Sequence, residues 1–69
     1  MTRAVRRQLG MTVQTLRDKR AMTQAVLAKK AGISRGYLAR VETGRHEPTL
    51  TTLRKLAGAL GVPVAKLLE

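Results

Sequence analysis

With 69 residues the chain has room for one small domain, residues 1–69. Its thin core must come from closely packed helices or from oligomerisation. There is no cysteine, which excludes disulfides and thiolate metal sites. No apolar run approaches a membrane span or a signal-peptide core, so a soluble, unprocessed, cytoplasmic and nucleoid-associated protein is expected. The formal net charge of +10 implies a polyanionic partner. Most of that charge lies before Pro48, and the last third is nearly neutral, as a scaffold or a subunit contact would be.

Met1 to Arg20 reads as one helix, because Val5, Leu9, Val13 and Leu16 recur at spacings of four, four and three and form a single apolar stripe. Gly10 weakens it slightly. Arg3, Arg6 and Arg7 crowd its beginning, where the helix dipole prefers negative charge, and this hints at a phosphate partner. Arg17 lies beside Leu16, close enough to the stripe for its guanidinium to turn inward. Met22 then stands as the apolar residue before the Thr23 cap.

From Gln24 to Thr43 the pattern is two short helices joined by a tight turn. Thr23 and Ser34 are the N-caps, and Gly32 supplies the left-handed residue at the turn. Leu27, Ala28 and Ala31 share one face of the first of these helices. Ile33 plugs the corner, and Leu38 and Val41 point inward from the second. At ~100° per residue, Gly36, Ala39, Arg40 and Thr43 point outward, flanked by Arg35 at the first turn. Two arginines on an otherwise slim surface suit a helix laid in the DNA major groove, where arginine reaches guanine O6 and N7. A mid-helix glycine costs roughly 1 kcal/mol against alanine, and Gly36 is explained if the backbone must come close to a ligand. The Gln24 amide and the free N–H groups beside it can hold a phosphate. Lys29 and Lys30 add diffuse attraction.

Gly44 ends this helix, and Arg45, His46, Glu47 and Pro48 form a loop. Thr49 caps a fourth helix carrying Leu50, Leu53, Leu56, Ala57 and Leu60. Gly61 ends it, and Pro63 opens a last short helix with Val64, Leu67 and Leu68. The fold class is therefore all-α: five helices with a helix-turn-helix at 24–43.

Thr23-Gln24, Leu27-Ala28, Gly32-Ile33-Ser34, Tyr37-Leu38, Val41-Glu42-Thr43-Gly44 and Pro48-Thr49 stand in the register of the Cro and phage-repressor helix-turn-helix family. This is the xenobiotic-response-element type, and the resemblance runs from about Leu9 through the trailing LAGALGVPVAKLL. It implies a lambda-repressor-like domain with the third helix in the major groove. Arg35, Gly36, Ala39 and Arg40 then fall where bases are read. Thr23, Gln24, Ser34, Tyr37, Thr43 and Arg45 fall where the sugar-phosphate backbone is held, with Gln24 also buttressing the first reading residue. Arg17 and Glu42 match a buried ion bridge from the first helix to the third. The sequence departs from the family in having Gly36 and Ala39 where polar side chains are common, which leaves reading to Arg35, Arg40, an Ala39–thymine methyl contact and DNA shape.

The resemblance implies a transcriptional regulator, a repressor or self-regulating controller that binds palindromic double-stranded DNA as a homodimer. The neutral, leucine-rich C-terminal helices are the favoured dimer surface. The alternative is an antitoxin that binds DNA and a protein toxin, although little surface is left over for a toxin. An enzyme reading would need the lone Ser34, His46 and Asp18 as a triad, but Ser34 is better used as a cap and the others lie in exposed stretches. No nucleotide loop, metal-ligand cluster or paired carboxylates occur, so neither a cofactor nor a metal is expected. RNA or membrane-surface binding lacks aromatic side chains, Tyr37 being the only one.

Overall fold

Four hydroxyls set where helices begin. Thr2, Thr23, Ser34 and Thr49 each accept a hydrogen bond from the backbone N–H three residues ahead, at 3.1, 3.1, 3.0 and 3.1 Å. The computed structural model describes residues 1–69. It consists of five helices without a strand: α1 (Arg3–Lys19), α2 (Gln24–Ala31), α3 (Arg35–Glu42), α4 (Leu50–Leu60) and α5 (Val64–Leu67). The turn between α2 and α3 depends on Gly32, whose φ of 72° is the left-handed conformation. It lets the Gly32 N–H reach Lys29 O at 3.2 Å and the Ile33 N–H reach Ala28 O at 3.0 Å. These two bonds satisfy carbonyls that the end of α2 would otherwise leave open.

An eight-residue helix is not stable in isolation, so α2 and α3 depend on what covers their inner faces. The core is formed by Leu9, Val13 and Leu16 of α1, Leu27, Ala28 and Ala31 of α2, and Leu38 and Val41 of α3. Leu53, Leu56, Ala57 and Leu60 of α4 and Leu67 of α5 complete it. Helix α1 lies against α3 and α5, α2 against α3 and α4, and α4 against α5. Met22 and Ile33 close its edge, as their positions before and after α2 lead one to expect.

Three apolar residues assigned inward by periodicity are not buried. Val5 is 43 % exposed, Leu50 56 % and Leu68 53 %. The two turns of α1 before Leu9 run past the edge of the core, so the stripe has nothing to cover it at Val5. Leu50 is the first residue of its helix and Leu68 lies just beyond the last. Helix α1 also starts at Arg3 with Thr2 as its cap, rather than at Met1. No helix is long and apolar enough to cross a membrane.

Gly10 proves to be a packing residue. A methyl group there would overlap the Glu42 carbonyl oxygen and stand 2.6 Å from that of Val41. Helix α1 therefore crosses the C-terminal turn of α3 at backbone contact. Gly58, by contrast, has open space where a Cβ would stand. Gly10→Ala should lower stability by ~1–3 kcal/mol, the usual cost of overfilling a tight contact. Gly58→Ala should raise it by ~0.5–1 kcal/mol through helix propensity. Urea unfolding of the two variants measures both signs, and equal responses would contradict the close crossing.

Candidate nucleic-acid interface

Helix α3 has one face turned to the core and one turned to solvent, and a single carboxylate fixes which is which. Glu42 is 2 % exposed, at the last position of the helix. Its Oε2 accepts from Arg17 Nε at 2.9 Å, and its Oε1 from Arg17 Nη2 at 3.2 Å and from Gln24 Nε2 at 2.9 Å. Arg17 Nη1 donates in turn to Met22 O at 2.9 Å. The bond to Glu42 raises the Arg17 pKa above its already high ordinary value, against the opposing effect of burial. Gln14 Nε2 reaches the Glu42 backbone carbonyl at 3.1 Å. The end of α3 is thus tied to α1 by Arg17 and Gln14 and to the first residue of α2 by Gln24.

With Leu38, Val41 and Glu42 inward, Arg35, Gly36, Arg40 and Thr43 are exposed and Ala39 is half-buried beside them. The Arg40 guanidinium folds back along the helix, its Nη1 3.7 Å from where a Gly36 Cβ would stand. Beyond its chain neighbours and the helix's own backbone, no other group comes within 4 Å of that point. Nothing inside the protein therefore requires glycine at position 36.

The six residues grouped as backbone contacts are not equally free. Thr23 and Ser34 are exposed, but each hydroxyl oxygen already accepts its capping bond. Gln24 has one amide N–H on Glu42, which leaves the second amide N–H, the side-chain carbonyl oxygen and the main-chain N–H for any other partner. Tyr37 is half-buried: its hydroxyl donates to Thr52 Oγ1 at 3.3 Å, and its ring meets His46 edge-on with centroids 4.9 Å apart. It links α3 to α4. The Thr43 hydroxyl donates back to Ala39 O at 3.0 Å, so it must rotate before it can donate to a phosphate. Arg45 is exposed, and its backbone N–H closes the end of α3 on Arg40 O at 2.9 Å. Gly10 and Gln14 escaped the sequence reading. A glycine inside a long helical pattern was the available signal for the first, whereas nothing marked Gln14, since one polar residue on a half-exposed helix resembles another.

A buried three-way lock on a short helix, with a slim cationic outer surface, is the build of a helix-turn-helix regulator. The HTH_3 helix-turn-helix family model matches residues 13–67, and the chain belongs to this family of double-stranded DNA-binding transcription regulators. It is 46 % identical over 57 residues to the immunity repressor protein of Bacillus phage phi105, covering 83 % of this chain and 40 % of that repressor's length. It is 40 % identical over 58 residues to the HTH-type transcriptional regulator y4dJ of Sinorhizobium fredii, covering 84 % of this chain and 75 % of the relative. Among solved structures, the restriction-modification controller protein C.AhdI of Aeromonas hydrophila superposes with a TM-score of 0.91 at 31 % identity. That superposition covers 93 % of this chain and 97 % of the other.

Removing one side of a buried ion pair strands the other. Arg17→Met should cost ~3–5 kcal/mol, whereas Arg17→Met combined with Glu42→Leu should recover most of that loss. Urea midpoints of the single and double variants check this. A double variant as unstable as the single one would show that the charge on Glu42 is not what makes the loss large.

Proposed function

We propose that the chain is a sequence-specific double-stranded DNA-binding transcription regulator, with residues 1–69 acting as one DNA-binding unit. It acts as a repressor or self-regulating controller, as a dimer on a palindromic operator. The observation that carries this reading is the outer face of α3: Arg35, Gly36, Ala39 and Arg40 on a helix whose rotation is set by Glu42. Arginine forks pair with guanine in the major groove, and small neighbours let them get there. The names of the similar proteins, an immunity repressor and a controller protein, point the same way. The N-terminus of α2 and Arg45 hold the sugar-phosphate backbone in this reading. Dimerisation through the C-terminal helices would use Leu68 and the half-buried Val64, since Leu67 is taken by the core.

Selection of bound duplexes from a random pool at about 150 mM salt tests the proposal. A two-fold symmetric motif with half-site centres one turn apart, ~34 Å, is expected. Affinity set by salt alone, without an enriched motif, would refute sequence-specific binding. On the selected duplex, Arg40→Ala should cost ~1–3 kcal/mol and relax preference at one base position. An equal loss on every duplex would remove Arg40 from base reading. Gly36→Ala should stabilise the free protein by ~0.5–1 kcal/mol, because its methyl group makes only an ordinary contact with the Arg40 side chain. The same change should weaken binding to the selected duplex, as titrations alongside thermal unfolding would show.

A further inference from the structure

Outside the α3 face, arginines gather in a cleft between the beginning of α1 and the end of α3. It has a volume of about 470 Å³ and is lined by Arg3, Arg6, Arg7, Thr43, Gly44 and Arg45. Four of the six lining residues are arginines, and neither a carboxylate nor an apolar side chain is among them. The first turn of α1 carries no acidic residue, so the helix dipole adds to the arginine charge instead of offsetting it. Glu47, close enough to sense Arg6, does not line the cleft; its carboxyl accepts a hydrogen bond from the Met1 ammonium, which holds it below the usual carboxylate range.

The cleft is also rigidly built. A Cβ on Gly44 would stand 2.7 Å from Arg7 Cγ and 3.1 Å from the Arg7 Cα and backbone nitrogen, so the loop after α3 lies directly against α1. Arg6 Nε donates to Gly44 O at 3.2 Å and pins the same crossing. Arg3, Arg7 and Arg45 are exposed, and no carboxylate lies within salt-bridge distance of any of them. Such a cluster of unpaired cations disfavours the free fold, and a polyanion relieves it.

We infer that this cleft is a phosphodiester site, through which the N-terminal half of α1 grips the backbone of the duplex that α3 enters. The inference rests on the DNA-binding reading above and adds Arg3, Arg6 and Arg7 to it. The placement follows from length. Eight helical residues span ~12 Å, about the width of the major groove, so a helix inserted there delivers its C-terminal end to the groove wall where phosphates stand. Thr43 and Arg45 belong to that end and to the cleft alike. Arg6 serves as the anchored wall, and the exposed guanidinium groups of Arg3 and Arg7 are the arms.

The test compares the full chain with Arg3→Ala combined with Arg7→Ala, titrated with the selected duplex across a range of salt. Each lost phosphate contact lowers the slope of log affinity against log salt by about 0.9, so the double variant should be flatter by roughly two units. Base preferences should be unchanged, and Arg3→Lys with Arg7→Lys should restore most of the slope. Thermal stability should not fall, because both substitutions remove charge that opposes the helix dipole. The charge-matched control is Lys19→Ala of α1 with Lys66→Ala of α5, which together line a different groove and should flatten the slope less. A slope equal to that of the unmodified chain would overturn the inference. So would an equal effect of the lysine pair, or a change in base preference. Failure of the unmodified chain to bind any duplex would overturn the DNA-binding reading itself, and that arm reports it separately.

Discussion

A carboxylate placed out of reach of water is tolerable only if every oxygen is met by a donor, and Glu42 meets that condition with donors from two other helices, Arg17 of α1 and Gln24 of α2. The demand is directional, since Arg17 must approach edge-on with Nε and Nη2, and Gln24 must arrive from the start of α2. The apolar packing of Leu38 and Val41 in the core tolerates some sliding or rotation of a short helix; a forked ion pair tolerates much less. Glu42 therefore acts as a register pin, and the outward direction of Arg35, Gly36 and Arg40 follows from it. Net stability from such a pair is small, because desolvation offsets most of the attraction. Its contribution is orientation.

The crossing of α1 over the end of α3 completes the constraint. Two glycines, one on each side, bring the backbones together: Gly10 beneath the Val41 and Glu42 carbonyls and Gly44 against Arg7. Gln14 and Arg6 then hydrogen-bond across the same junction. The long helix is in this way a splint for the short one. It also carries the arginines crowded at its beginning to a fixed place beside the α3 terminus, where Arg45 joins them.

What could be read in advance divides along physical lines. Caps and turns are local: Thr23, Ser34, Thr49 and Gly32 act within three or four residues of themselves, and each stands where the pattern puts it. The core stripes of α2, α3 and α4 were legible for the same reason, as periodicity is a property of one helix. Val5 and Leu50 were misread because exposure depends on what lies opposite, and an apolar period says nothing about where its cover ends. The inward turn of Arg17 was legible from its place beside Leu16, whereas its pairing with Glu42 came only through family resemblance. Gln14 on the Glu42 carbonyl, Tyr37 on Thr52 and Arg6 on Gly44 are contacts between residues 15 to 38 positions apart, and no spacing rule reaches them. Gly10 lay between the two cases, visible as an oddity but with its reason on another helix.

The lack of any tight contact at Gly36 has a consequence for how such a protein can change over generations. Positions 35, 36 and 40 are exposed, while the residues that decide folding, Leu38, Val41 and Glu42, occupy the opposite side of the same eight-residue helix. Substitutions on the outer side alter what the molecule presents without being felt by the hydrophobic interior or by the buried carboxylate. Ancestry and address are thus written on separate faces, and descendants of one body can acquire new targets by exchanging three side chains while their architecture stays the same.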